Sequence, residues 1–168
     1  MKRKPQFTVR QLFVPPFTAM RRYHEDGTYE YVPLPDTRIR TGLDVFDEMI
    51  SLMSRQVYPA RQLAARLGVE GPDLSGLVRI ATGLCLSEFV AAWQLLMADE
   101  LLRYTDLRMT EIARYCGMGK GVNFTNRIVR AHKCPPLARR WELRQKNDLG
   151  RFIITGVKGG GTPGGQAG

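Results

Sequence analysis

The chain has 168 residues, 43% of them hydrophobic, and carries 25 Lys/Arg against 16 Asp/Glu for a net charge of +9. That length suits one domain with extensions, or two very small domains sharing a core. No run of eighteen or more uncharged apolar residues is present to span a membrane, and three cysteines without CxxC spacing and two histidines exclude a disulfide framework, a zinc site and a histidine-based catalytic cluster.

The amino-terminal run "MKRKPQFTVRQLFVPPF" starts basic, but Arg10 and the prolines interrupt its apolar stretch, so no signal peptide is expected. Reduced thiols at Cys85, Cys116 and Cys134 then point to the cytoplasm. Pro5, Pro15, Pro16, Pro33 and Pro35 forbid a long helix in residues 1–40. Within them, residues 20–32 alternate around Asp26-Gly27, which predicts a short two-stranded ribbon.

Helical spacing follows. Residues 41–54 place Leu43, Phe46, Met49, Ile50 and Met53 on one face, with Thr41 and Asp44 in capping-box positions. Residues 59–68 open on Pro59, close on Gly68 and bury Leu63, Ala64 and Leu67. Residues 72–83 again run from Pro to Gly, with Leu74, Leu77, Val78 and Ile80 or Ala81 inward. The longest pattern is 86–107, with Ser87 as its expected N-cap and Phe89, Trp93, Leu96, Met97, Leu101 and Leu102 apolar. Short patterns at 109–117, 121–133 and 135–146 complete the series. The glycine-rich stretch 159–168 lacks an anchoring side chain, and 147–168 is expected to be a flexible tail.

Charge is distributed unevenly along this order. Residues 1–40 hold eight Lys/Arg against four Asp/Glu, residues 41–116 seven against ten, and residues 117–168 ten against two. A separate basic section suits a polyanion-facing surface. An internal echo accompanies it: "QLAARLGV", a turn and a helix recur as "EIARYCGM", a turn and a helix. Two such pairs joined by a helix of some twenty residues are far more specific than one helical hairpin.

Residues 43 to 144 resemble the DNA-binding domain of AraC/XylS-type transcription regulators. The residues that carry the likeness are Ala98, Leu101, Leu102, Ile112, Ala113, Gly117, Met118, Phe124, Ile128, Pro136 and Arg140. Leu63, Ala64, Gly68, Leu74, Val78, Gly83 and Phe89 match the first half. The resemblance implies an all-α fold: two helix-turn-helix subdomains joined by a long linker helix, with a β-ribbon extension before and a glycine-rich tail after. The expected domains are an extension at 1–40, a double helix-turn-helix at 41–146 (units 43–84 and 108–146, linker 86–107) and the tail. It also implies a bacterial regulator that places the second helix of each unit in successive major grooves about 34 Å apart. The chain departs from the pattern at Gln94, usually arginine, at Met118, usually aromatic, at Lys133, usually glycine, and at Gly76, where a base-reading side chain is common.

In the first unit only Ser75, Arg79 and Thr82 are polar candidates, so it either meets a phosphate weakly through Arg79 or serves as scaffold. In the second, Phe124, Ile128 and Ala131 are expected to face inward. Asn123, Asn126 and Arg127 are the expected base readers, and Lys120, Arg130, Lys133 and Arg140 the phosphate contacts. Five neutralised phosphates imply a salt slope of about −4 to −5. The expected partner is double-stranded DNA, with RNA polymerase or another regulator as further partners, and no cofactor, metal, membrane or small-molecule effector is expected. The last exclusion rests on an amino-terminal segment far shorter than the sugar-binding barrel of many such regulators.

A catalytic constellation cannot be assembled: Cys116 reads as a core thiol, Trp93 and Trp141 as core and edge packing, and His132 as a phosphate contact or a plain surface residue. The competing reading is a helix-turn-helix fold kept for protein–protein contact. "GMGKGV" itself lacks the preceding strand and the hydroxyl after Lys120 that a nucleotide-phosphate loop needs. Gly117 is expected at the turn, and Gly119 and Gly121 are expected to let backbone N–H groups approach a DNA phosphate.

Overall fold

The computed structural model describes residues 4–145 and the backbone of 152–153. It is mostly α-helical, with eight helices and a small sheet among the described residues. The chain opens with a helix absent from the sequence reading, α1 (Val9–Leu12), where Thr8 and Gln11 form a reciprocal capping box. Strand β1 (Ala19–Tyr23) pairs antiparallel with β2 (Tyr29–Pro33), in register Tyr23↔Tyr29. The Asp26-Gly27 turn is a longer loop than a two-residue turn. The Gly27 N–H donates to the His24 carbonyl at 3.1 Å, and Gly27 takes φ +83° so that β2 can resume its pairing. The backbone of β3 (Phe152–Ile153) adds to the free edge of β1. Phe152–Ile153 falls inside the tail 147–168 expected to be flexible and is instead paired; the rest of that tail lies outside the described residues.

Seven helices follow close to the predicted positions: α2 (Asp44–Ser54), α3 (Ala60–Leu67), α4 (Gly71–Thr82), α5 (Leu86–Tyr104), α6 (Met109–Tyr115), α7 (Gly121–His132) and α8 (Pro136–Arg144). Their caps differ from the sequence expectation in two places. Thr41 reaches Asp47 rather than Asp44: its N–H and hydroxyl both donate to Asp47 Oδ1, at 2.9 and 2.7 Å. The N-cap of α5 is Cys85, whose N–H donates to Glu88 Oε2 at 2.9 Å, rather than Ser87. The expected linker over 86–107 ends at Tyr104, because the Thr105 hydroxyl turns back to the Leu101 carbonyl and residue 105 is extended.

Helix α5 runs between two apolar clusters. Its first half (Phe89, Val90, Trp93) packs with Phe46, Met49, Met53, Leu63, Leu74 and Val78 of α2–α4. Its second half (Met97, Ala98, Leu101, Leu102) packs with Ile112, Ala113, Phe124 and Ile128 of α6 and α7. Each such buried aliphatic or aromatic side chain contributes about 1.5–3 kcal/mol of transfer free energy.

The amino-terminal segment belongs to this core rather than standing apart from it. The N–H groups of Gln6 and Phe7 donate to the Ala81 carbonyl, Val9 and Leu12 are buried, and Phe13 meets Trp93 edge-on at 5.0 Å. Phe17 lies on the second cluster, edge-on to Tyr104 at 5.6 Å. One segment thereby bridges both ends of α5, a use for residues 5–17 that their prolines concealed. Ala131, expected inward, is exposed, and so is Trp141, expected to pack at an edge but 69% exposed.

Candidate nucleic-acid interface

The two turns that the sequence echo predicts have the same hydrogen-bond pattern. After α3, Val69 N–H donates to Ala64 O at 3.1 Å and Gly68 N–H to Ala65 O at 3.3 Å. After α6, Met118 N–H donates to Ala113 O at 2.9 Å and Gly117 N–H to Arg114 O at 3.1 Å. This paired closure satisfies the last helical carbonyls and requires a left-handed residue, supplied by Gly68 (φ +66°) and Gly117 (φ +64°). Val69 and Met118 occupy the same apolar position one residue later. The turns differ in length: residues 68–70 in the first and 116–120 in the second, where Gly119 (φ +70°) adds another left-handed step.

They differ also in packing. A Cβ on Gly68 would meet open space, whereas one on Gly117 would lie 2.5 Å from Cδ2 of Tyr58. Tyr58 follows α2, is buried, and donates its hydroxyl to the Tyr115 carbonyl at 3.2 Å. The first apolar cluster thus reaches across to lock the second turn. Cys116 beside it is buried, and burial pushes its thiol far above the usual range, which makes it a poor thiolate nucleophile.

Helix α7 rests on the core through Phe124 and Ile128, both fully buried. At about 100° per residue, Asn126 lies nearly opposite the midpoint of that pair. Asn123, Asn126 and Arg130 are exposed, and together with Arg127 and the turn residues Gly117–Gly119 they line a shallow depression of about 550 Å³. Lys120 caps the helix at one end and Lys133, in the left-handed conformation at φ +61°, caps the other, about 20 Å away. No acidic residue occurs on α7. Val122 and Val129, 70% and 41% exposed, share this outer surface and were not singled out in the sequence. The signal that could have found them is their position beside Asn126 on the helical wheel.

Two of the expected DNA contacts are used within the protein. Arg127 donates through Nη1 to Gln94 Oε1 at 2.9 Å, and the half-buried setting lowers its pKa by desolvation. It ties α7 to α5 instead of standing free for a base, and buried Gln94 is its acceptor. Arg140 donates through Nε to the Leu102 carbonyl at 3.1 Å and through Nη2 to the Leu107 carbonyl at 2.7 Å. It therefore covers a carbonyl in the last turn of α5 and another in the segment that leads to α6, rather than reaching outward to a phosphate. Arg139 and Arg144, unassigned from sequence, act alongside it. Arg139 binds Asp99 through two hydrogen bonds, at 3.1 and 2.8 Å, and Arg144 donates to the Arg103 and Thr105 carbonyls and to Asp106. His132 sits 3.5 Å from Asp99 on the same seam.

The corresponding helix of the first pair is barer. Ser75 Oγ accepts from the Leu86 N–H at 3.3 Å, and the buried Thr82 hydroxyl donates to Val78 O at 2.7 Å, so neither is offered outward. Arg79 remains exposed, with Asp73 on the same helix and Ile80 projecting beside it.

The chain matches no family model and no curated protein. Among solved structures, its fold is similar to part of the structure of the xylose-binding transcription activator xylR, with a TM-score of 0.53 at 20% identity over 67% of this chain. The match covers 31% of that chain's length. At that identity the likeness is one of fold. Among the described residues, no single helix is long and apolar enough to cross a membrane.

Proposed function

We propose that the chain binds double-stranded DNA as a transcription regulator, with two helix-turn-helix units held by α5 and α7 entering the major groove. The observation that carries this reading is the outer surface of α7. It combines exposed Asn123, Asn126 and Arg130 with Lys120 and Lys133 at its ends, no carboxylate, and an opposite face anchored by Phe124 and Ile128. Asparagine pairs with adenine N6 and N7, and valine methyls suit the thymine methyl, so Asn126 between Val122 and Val129 favours A·T pairs. Lys120, Arg130, Lys133 and Arg79 meet phosphates; four contacts give a salt slope of about −3.6. Gly121 supports a close backbone approach at the start of α7, since its missing Cβ faces only Thr110 at 3.9 Å. The first unit contributes Arg79 and otherwise positions the second.

Retention on random duplex DNA across a salt series tests this. Loss of retention in Asn126→Ala plus Arg130→Ala, with the fold intact by circular dichroism, supports it. Equal retention of both proteins at every salt concentration refutes it. A second reading, the same fold as a protein-interaction module, draws on Leu137 and Trp141, 68% and 69% exposed one turn apart on α8. Selection from random duplexes separates the two, since a module of that kind enriches no sequence.

A further inference from the structure

Between the amino-terminal segment and the helices lies a cavity of about 790 Å³. Residues 14–18 and 34–38 form one wall; the end of α2, Glu100 and Tyr104 of α5, and Tyr115 of α6 form the other. Its volume falls within the roughly 300–1,000 Å³ of small-molecule sites, and most of its surface is apolar or aromatic. Glu100 is the group that stands out there. Among the described residues it has no hydrogen-bond or ion-pair partner, although it is half-buried. Its neighbour in sequence, Asp99, is gripped by Arg139. Desolvation dominates at Glu100 and raises its pKa, against weaker attraction from Arg103 and Arg10 and with repulsion from Asp99.

The other charged lining groups do not neutralise it. Arg38 is held by Asp36 at 3.6 Å, and Arg55 by Glu48 at 3.7 Å. An anion would have to compete with those carboxylates. A cation meets a carboxylate without a hydrogen-bond partner in a cavity that Tyr115 also lines, whereas the Tyr104 ring already holds the Arg103 guanidinium 4.9 Å from its centroid. Charge-assisted hydrogen bonds and ring faces are the two interactions that favour an ammonium group in a partly dry site.

We propose that this cavity binds a small primary ammonium compound with an apolar or aromatic body, its cation on Glu100 and its body against Tyr115, Val14 and Leu34. The expectation of no effector considered only a separate sensor domain; this site forms instead where the amino-terminal segment folds back on the helices.

The probe is phenethylammonium chloride, with 2-phenylethanol as its neutral isostere, titrated calorimetrically into the full chain at pH 7.5 without DNA. One saturable site is expected for the ammonium, at least about tenfold tighter than for the alcohol. The melting midpoint should rise by roughly 5–10 °C at a hundredfold excess over Kd. Glu100→Gln should weaken the ammonium about tenfold or more without altering the alcohol, and Thr37→Trp at the cavity wall should weaken both. No saturable ammonium binding, or equal affinity in wild type and Glu100→Gln, overturns the proposal. Because no DNA is present, either result is independent of the DNA-binding reading.

Discussion

Replacing Gly117 by alanine is expected to destabilise the protein by about 3–6 kcal/mol, and the magnitude can be assembled from three terms. The left-handed φ of +64° costs a residue with a Cβ about 1–2 kcal/mol. The new Cβ would stand 2.5 Å from Cδ2 and 3.2 Å from Cε2 of Tyr58, a buried ring that cannot swing away, and overpacking of this kind costs about 1–3 kcal/mol. Displacing the ring also strains its hydrogen bond to the Tyr115 carbonyl, worth about 1 kcal/mol. Gly68→Ala is the matched control: it has the same turn position and nearly the same φ, but nothing within 4 Å of the added Cβ. It should therefore lose only the first term. Urea unfolding followed by far-ultraviolet circular dichroism measures both, and Tyr58→Val supplies a third corner. In that background Gly117→Ala should cost about 2 kcal/mol less than it does in wild type. Equal costs for Gly68→Ala and Gly117→Ala, or a coupling to Tyr58 below about 0.5 kcal/mol, would show that the ring does not lock the turn.

Arg130→Ala should reduce the magnitude of the salt slope for DNA binding by about 0.9, whereas Arg127→Ala should weaken binding with the slope unchanged, because its guanidinium is held by Gln94. Filter binding from about 50 to 300 mM salt distinguishes them. Arg140→Ala should lower stability by about 1.5–3 kcal/mol in urea unfolding and leave the slope as in wild type, since it removes hydrogen bonds from a charged group to the Leu102 and Leu107 carbonyls. Exchanging thymine for uracil opposite Val122 or Val129 in a selected duplex should cost about 0.8 kcal/mol per lost methyl contact, and Val122→Ala should remove that sensitivity. Glu100 has a folded pKa raised above its unfolded value, so between the two the native state binds a proton that the unfolded chain does not. Its contribution therefore falls as pH rises through that window, and Glu100→Gln should be more stable than wild type at pH 8 but not at pH 4, read from unfolding midpoints.

The helices were legible because their ends are written in residues with fixed conformational consequences. Pro59, Gly68 and Gly83 each sit next to an observed boundary and Gly117 two residues past one, and the apolar spacing put Phe46, Leu63, Val78, Phe124 and Ile128 inward. Residues 5–17 were less legible, because their contacts are long-range: nothing local announces that Phe13 meets Trp93 or that Gln6 and Phe7 share the Ala81 carbonyl. The arginines show the same limit more sharply. Arg130, Arg127 and Arg140 look alike in sequence, which favours a DNA contact for each, a base for Arg127 and a phosphate for Arg130 and Arg140. Only the tertiary neighbours, a glutamine thirty-three positions away and carbonyls in and just after α5, separate the committed guanidinium groups from that of Arg130, which has no such acceptor among the described residues.

The repeated turn shows how one local solution serves two purposes. Both turns close with the same two hydrogen bonds around a left-handed glycine, so the chain direction on leaving α3 and α6 has the same local origin. Beyond the glycine the environments diverge. Gly68 faces open space and leads to α4, where Ser75 and Thr82 spend their hydroxyls on the fold. Gly117 is pressed by Tyr58 from the first cluster, and α7 beyond it is held again through Arg127 and Gln94. The helix with the richer set of outward polar and basic side chains is thus the one whose orientation is fixed from two sides. A reading helix gains specificity only if its side chains arrive at the groove already in register, since each ordered on arrival costs about 0.5–1.5 kcal/mol. Under the proposed function, then, the first unit's thin surface and the second unit's rigid one belong to the same arrangement: α2–α4 are the frame against which α7 is aimed.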